Sequence, residues 1–140
     1  MIRLAKENDL EAIYKLGQLV NENFKNTYHV LSYLENDSYI ILVSENERVD
    51  GLMIIYKNID YYELELIVVD VLCRRKGIGS SLLNYFLEKF TQNNDEVILE
   101  VASKNEKAIN LYKGFDFKVI GVREKYYQND DAYIMKKVIN

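Results

Sequence analysis

The chain contains no proline and no tryptophan, and it has a single cysteine, Cys73, and a single histidine, His29. One cysteine excludes an intrachain disulfide and any Cys-based metal cluster. One histidine argues against His-dependent triads and zinc hydrolysis, and no metal is expected. No stretch approaches the roughly 18 apolar residues that a membrane span requires, and the start, MIRLAKENDLEAI, lacks a cationic segment followed by a long apolar run. A cytoplasmic location without a membrane partner is the resulting expectation. Net charge is −4, so the field of the whole molecule repels polyanions, whereas binding to nucleic acid by counterion release requires the opposite balance.

What is present is an ordinary soluble composition, 49% hydrophobic and 29% charged, with 12 tyrosines as its one excess. A chain of 140 residues closes one core, so a single domain over residues 1–140 is expected.

The periodicities run in a definite order. Residues 1–5 alternate as a strand. Asn8 or Asp9 caps a helix carrying Leu10, Ile13, Leu16 and Val20. One short helix is read over 27–34. Residues 38–44 and 49–56 form a hairpin around the polar turn at 45–48. Residues 61–71 alternate Leu64, Leu66 and Val68 against Glu63 and Glu65 and then become wholly apolar, a strand exposed at its start and buried at its end. A helix over 77–90 has an apolar stripe of Ile78, Leu82, Leu83, Phe86, Leu87 and Phe90. A strand at 97–102, a helix at 105–115 and strands at 117–127 and 132–138 close the chain. The fold class is α/β around one mixed sheet of six to seven strands flanked by about four helices.

Three features carry chemistry. The first is the strand-to-helix junction Arg74, Arg75, Lys76, Gly77, Ile78, Gly79, Ser80. A helix start leaves backbone N–H groups without partners and carries the positive end of the dipole. Two glycines let an anion reach that backbone, Arg75 and Lys76 add charge, and Ser80 offers a further donor, an arrangement suited to a pyrophosphate. Neither the Walker nor the Rossmann glycine spacing is present. A turn shaped by two glycines among solvated cations remains the other reading. The second feature is Glu100, a carboxylate inside the apolar strand VILEVAS, which must face solvent, a partner or a cleft. An ion-paired strand residue and a catalytic one are both open. The third is NEKAINLY, in which Tyr112 lies on the inward stripe of a helix with Ala108, Ile109, Leu111 and Phe115, and by pattern belongs to the core.

Together these features resemble the acetyltransferase superfamily known as the GNAT fold. Its Arg/Gln-x-x-Gly-x-Gly/Ala motif is matched by Arg74 to Gly79, and its Asn-x-x-Ala-x-x-Leu-Tyr helix by Asn105, Ala108, Leu111 and Tyr112. The likeness covers nearly the whole chain. It is nearest to the bacterial RimI group, which acetylates the N-terminal alanine of a small-subunit ribosomal protein, through Leu99-Glu100-Val101, Asn105, Tyr112, Arg123, Tyr126-Tyr127, Asp131-Ala132 and Ile134-Met135. The resemblance implies acetyl-CoA as co-substrate, with its pantetheine arm between splayed parallel strands at Ile67, Val68, Val69 and at residues 97–102, and with Asn105 and Tyr112 bordering it. It further implies Glu100 as general base, Tyr112 as general acid, the Val69 N–H as oxyanion donor, and an amine acceptor such as a ribosomal protein N-terminus, in a monomer or homodimer. A small-molecule amine (a polyamine, amino acid or drug) and a catalytically silent CoA-binding regulatory module are the alternatives.

The chain departs from that group in three places. It lacks the proline–aromatic pair after the first helix, so the acceptor-holding region over 21–34 differs. Its turn after Tyr127 is short, Gln128-Asn129-Asp130. Asp116-Phe117 replaces Gly-Phe, so Asp116 must take a left-handed helix-ending conformation. Tyr126 and Tyr127 are candidates for the acceptor cleft, whereas Cys73 and His29 are read as structural or incidental.

Overall fold

A computed structural model describes residues 1–127 and 130–140, apart from the side chains of 125–127. The expected short turn at Gln128-Asn129 and the side chains of Tyr126 and Tyr127 therefore lie outside the described residues.

Seven strands form one sheet: β1 (Ile2–Leu4), β2 (Tyr39–Asn46), β3 (Arg48–Lys57), β4 (Tyr62–Val69), β5 (Glu96–Ala102), β6 (Lys118–Tyr127) and β7 (Asp130–Val138), in the order β1-β2-β3-β4-β5-β7-β6. The helices are α1 (Leu10–Gly17), α2 (Phe24–Thr27), α3 (Val30–Leu34), α4 (Ile78–Phe90) and α5 (Glu106–Gly114). This is the mixed α/β arrangement that the periodicities predict, with five α-helices among the described residues rather than four. Its contacts divide into two compact units: residues 1–57 with 65–90, and residues 58–64 with 91–140.

In the first unit β1, β2 and β3 are successive antiparallel neighbours, with Leu4 opposite Leu42 and Tyr39 opposite Tyr56. β3 is buried along most of its length because helices cover both of its faces. Ile13, Leu16, Phe24 and Val30 pack with Ile41, Val43, Leu52, Ile54 and Val68 into one core cluster. Leu42, Met53 and Ile55 alternate with these strand residues and are fully buried on the opposite face. On that side Gly51 lets α4 approach so closely that an added Cβ would lie 2.8 Å from Ile78. Leu82, Leu83 and Phe86 of the expected stripe are fully buried, each worth about 1.5–3 kcal/mol of transfer free energy.

Three local readings need correction. Two short helices, α2 and α3, replace the single one expected over 27–34. Phe24 and Val30 are both fully buried, and the extended Tyr28 (φ −112°, ψ 116°) between them lets each reach the core. Asp9 does not cap α1 with its side chain. Instead it is buried against Arg3, whose guanidinium donates to both carboxylate oxygens at 2.8 and 2.9 Å, while the Lys6 N–H donates at 2.7 Å. The Arg3 hydrogen bonds, more than the opposing burial, hold the Asp9 carboxyl below the usual carboxylate range. Finally, β4 ends at Val69 rather than at 71, because Val71–Cys73 turns into a 3-10 helix capped by Asp70, which accepts from the Leu72 N–H.

In the second unit β4 and β5 run parallel, with Tyr62, Glu63 and Leu64 opposite Val97, Ile98 and Leu99. β5 pairs antiparallel with β7, and β7 with β6, whose register shifts between Val119 and Gly121. Val97, Leu99 and Val101 are buried together with Met135, whereas Glu96, Ile98 and Glu100 alternate onto the other face. α5 ends as the sequence requires. Asp116 has φ 68°, and the Phe117 and Asp116 amides return to the Tyr112 and Lys113 carbonyls, a Schellman closure with aspartate in the place glycine usually takes.

Candidate functional site

The residues expected to act fall into two sets, one in each unit.

The first set is the junction after β4. Asp70 organises its approach. Besides capping the 3-10 turn, it forms a 3.1 Å ion pair with Arg48, and its N–H donates to the Asp50 carbonyl at 2.8 Å. Arg74 then donates from Nε to the Val69 carbonyl at 3.3 Å. Arg75 (φ 67°) and Gly77 (φ 77°) both adopt the left-handed conformation, which turns the chain sharply on either side of Lys76. Only Gly77 does so at no steric cost. The first intrahelical bond of α4 runs from the Ser81 N–H to the Gly77 carbonyl, so the amides of Ile78, Gly79 and Ser80 lie ahead of it.

A Cβ built on Gly77 would meet nothing within 4 Å, and Arg75, Lys76, Gly77 and Ser80 are exposed. The surface at this helix start is therefore open, positively charged and rich in backbone donors, which fits the diphosphate of acetyl-CoA. Ile78 differs in kind from its neighbours, since its side chain is 8% exposed and belongs to the core, leaving only its amide for a ligand. Likewise Val68 is buried in the core cluster, while Ile67 and Val69 are half-buried.

The second set surrounds Glu100. Its carboxylate is about one quarter exposed and is met by the Arg123 guanidinium at 2.8 Å. The strand register explains the meeting. Glu100 lies opposite Ile134 on β7, and Arg123 lies opposite Ala132, so the arginine reaches diagonally across β7 on one face. Both the ion-paired and the solvent-facing expectations for this carboxylate are thus met. Asn105 caps α5, its Oδ1 accepting from the Ala108 N–H at 3.2 Å, a structural role that the resemblance did not assign to it. Tyr112 is 6% exposed, with its ring tilted against Phe117 at 5.8 Å. The inward stripe of α5 is narrower than predicted, for only Ile109 and Tyr112 are buried.

Sequence reasoning missed Asp70 and Arg48. The signal for Asp70 was its place directly after the apolar run, where a short side chain that accepts from an amide two residues on commonly starts a turn. For Arg48 there was none, since its partner is 22 residues away.

With this geometry the family follows: the chain belongs to the acetyltransferase (GNAT) family, whose model matches residues 6–117. The relatives narrow the comparison. An N-alpha-acetyltransferase of Sulfurisphaera tokodaii is 31% identical, covering 96% of this chain and 90% of that protein. The match to an uncharacterized protein of Mycobacterium leprae, 38% identical, covers 54% of this chain and only 21% of the relative's length. Among solved structures, the ribosomal-protein-S18-alanine N-acetyltransferase of Escherichia coli superposes with a TM-score of 0.84 at 25% identity, over 100% of this chain and 94% of that one.

No helix among the described residues is long and apolar enough to cross a membrane.

Proposed function

We propose that this acetyltransferase moves the acetyl group of acetyl-CoA onto the α-amino group of a protein or peptide N-terminus, with a ribosomal protein in the cytoplasm as the model acceptor. The observation that carries the reading is the half-buried Glu100 carboxylate set between the apolar Leu99 and Val101 of β5 in a GNAT chain and paired with Arg123. Its counterpart is the open, donor-rich start of α4, which fits the coenzyme's diphosphate.

In the proposed step the neutral amine nitrogen attacks the thioester carbonyl carbon directly, the C–S bond breaks, and the thiolate leaves with a proton. Glu100 takes the proton that the amine must lose, itself or through a water molecule. The Val69 N–H is the proposed donor to the oxyanion. Tyr112 is the proposed source of the thiolate's proton. An α-amine, with a reference pKa of about 8, is deprotonated by a carboxylate more readily than a lysine amine near 10.4, which favours a chain terminus as acceptor.

The test incubates the protein with acetyl-CoA and two panels, peptides with free α-amines and small amines including polyamines, while thiol release is followed and acetylated positions are located by mass spectrometry. Acetylation of peptide α-amines is expected. Turnover confined to the small amines would replace the acceptor, and no turnover on either panel would remove the enzyme reading.

A further inference from the structure

The turn that leads into the proposed coenzyme junction has little packing to hold it. Val71–Cys73 buries no side chain, and Val71 and Leu72 are 55% and 78% exposed. A cavity of about 650 Å³ lies against the turn, bordered by Asn46 and Asp50 on one side and by Leu72, Cys73 and Lys76 on the other. Just beyond, Arg75 holds a left-handed φ of 67° without being glycine, a conformation that persists only where its surroundings enforce it.

Most of the turn's hydrogen bonds are its own. The Leu72 N–H donates to Asp70 Oδ1 at 3.0 Å and the Cys73 N–H to the Asp70 carbonyl at 2.9 Å. Among the described residues, Arg48 at the start of β3 is the one side chain of another element that hydrogen-bonds the turn. Its Nη2 donates to Asp70 Oδ2 at 3.1 Å and lies 3.9 Å from the Cys73 sulfur, so a single guanidinium spans both ends.

We propose that Arg48 is a positioning residue for the coenzyme, holding the Asp70–Cys73 turn so that the amides of Ile78, Gly79 and Ser80 stand ready for the diphosphate. The inference rests on the reading of that junction as the diphosphate site of acetyl-CoA.

Simple electrostatics predicts different behaviour. Asp70 is an anion just ahead of the place where an anion binds, so on charge alone its neutralisation strengthens coenzyme binding. An Arg48 that met the phosphates directly would matter whether or not Asp70 carried a charge. A positioning pair behaves otherwise. Loss of either partner frees the turn, the coenzyme then has to order it, and loss of both costs no more than loss of one.

The experiment titrates CoA calorimetrically into the wild-type protein, Arg48→Gln, Asp70→Asn and the double variant. Asp70→Asn keeps an oxygen to accept from the Leu72 N–H, so it breaks the ion pair and spares the cap. Each single variant is expected to weaken CoA binding by about fivefold, the scale of a partly exposed pair, and the double variant by about the same factor rather than by about twenty-fivefold. Arg48→Lys, which keeps the charge, should recover part of the loss. Amide exchange at Leu72 and Cys73 in the CoA-free protein should quicken in Arg48→Gln, while the KM for a peptide acceptor stays at the wild-type value. CoA bound by Arg48→Gln as tightly as by the wild type, or by Asp70→Asn more tightly, overturns the positioning role and leaves the proposed function standing. Losses that multiply in the double variant do the same. A wild-type protein that does not bind CoA overturns both.

Discussion

Gly77 allows the phosphate-cradle reading to be separated from the simpler view that a glycine is there only to turn the chain. The residue sits at φ 77°, and a Cβ placed on it would touch nothing. Substitution with alanine therefore costs only the left-handed backbone term, about 1–2 kcal/mol, and lowers the melting temperature by roughly 3–8 °C. Asparagine tolerates that conformation better and adds no charge, so Gly77→Asn is the control. Gly77→Glu pays the same backbone term but sends a carboxylate into the open volume at the start of α4. A unit charge about 5 Å from a phosphate in a surface environment of effective dielectric about 20 is repelled by about 3 kcal/mol, more than a hundredfold in Kd. Calorimetric titration with CoA measures the affinity, and circular dichroism confirms that the helices remain. Loss of affinity in the glutamate variant, with the asparagine variant within a few fold of wild type, is expected. If the glutamate variant binds CoA as tightly as the asparagine one, the diphosphate does not lie at this junction.

Three further outcomes are expected. Glu100→Gln keeps the shape of the side chain and leaves Arg123 a weaker partner, so folding should survive while kcat falls by about 10²–10⁴ in the thiol-release assay; full turnover would remove the base assignment. Tyr112→Phe retains the ring packed on Phe117 and deletes only the hydroxyl, so a stable variant with reduced kcat and unchanged CoA affinity is expected, and unchanged kcat would leave Tyr112 a core residue alone. Asp9→Ala removes the bidentate partner of the Arg3 guanidinium, which keeps only its 3.0 Å pair with Glu45 and its bond to the Leu4 carbonyl, and should lower stability by about 2–3 kcal/mol in urea titrations at pH 7. Because the folded-state pKa of Asp9 lies below its unfolded value, the wild-type advantage is complete above about pH 4 and disappears as pH falls through the folded value. An advantage over the variant that persists undiminished well below pH 3 would contradict this.

The parts of the molecule that were legible in advance are those whose information is local. Ile78, Leu82, Leu83 and Phe86 recur at helical spacing, the glycines of the junction are neighbours, and Asp116 had to be left-handed because no glycine follows α5 at that point. The break at Tyr28 was not legible, because it exists to let Phe24 and Val30 both reach a core built from strands far along the chain. Asp9 looked like a cap for the same reason: its local position suits one, whereas Arg3 claims it through the fold. The candidate site divides the same way. Glu100 was visible as an anomaly in its strand, but the diagonal that delivers Arg123 to it depends on the register of three strands, which no local spacing encodes.

Gly51 lies on a central strand and carries no side chain, yet it sets how closely α4 approaches the sheet. With Ile78 seated directly on its backbone, the floor under the first turn of α4 is bare main chain. Even a methyl group there would act as a shim, lifting the donor amides out of plane with the open surface in front of them. If the diphosphate lies where we propose, a substitution at Gly51 would tune its binding from underneath, through the helix rather than through the open surface.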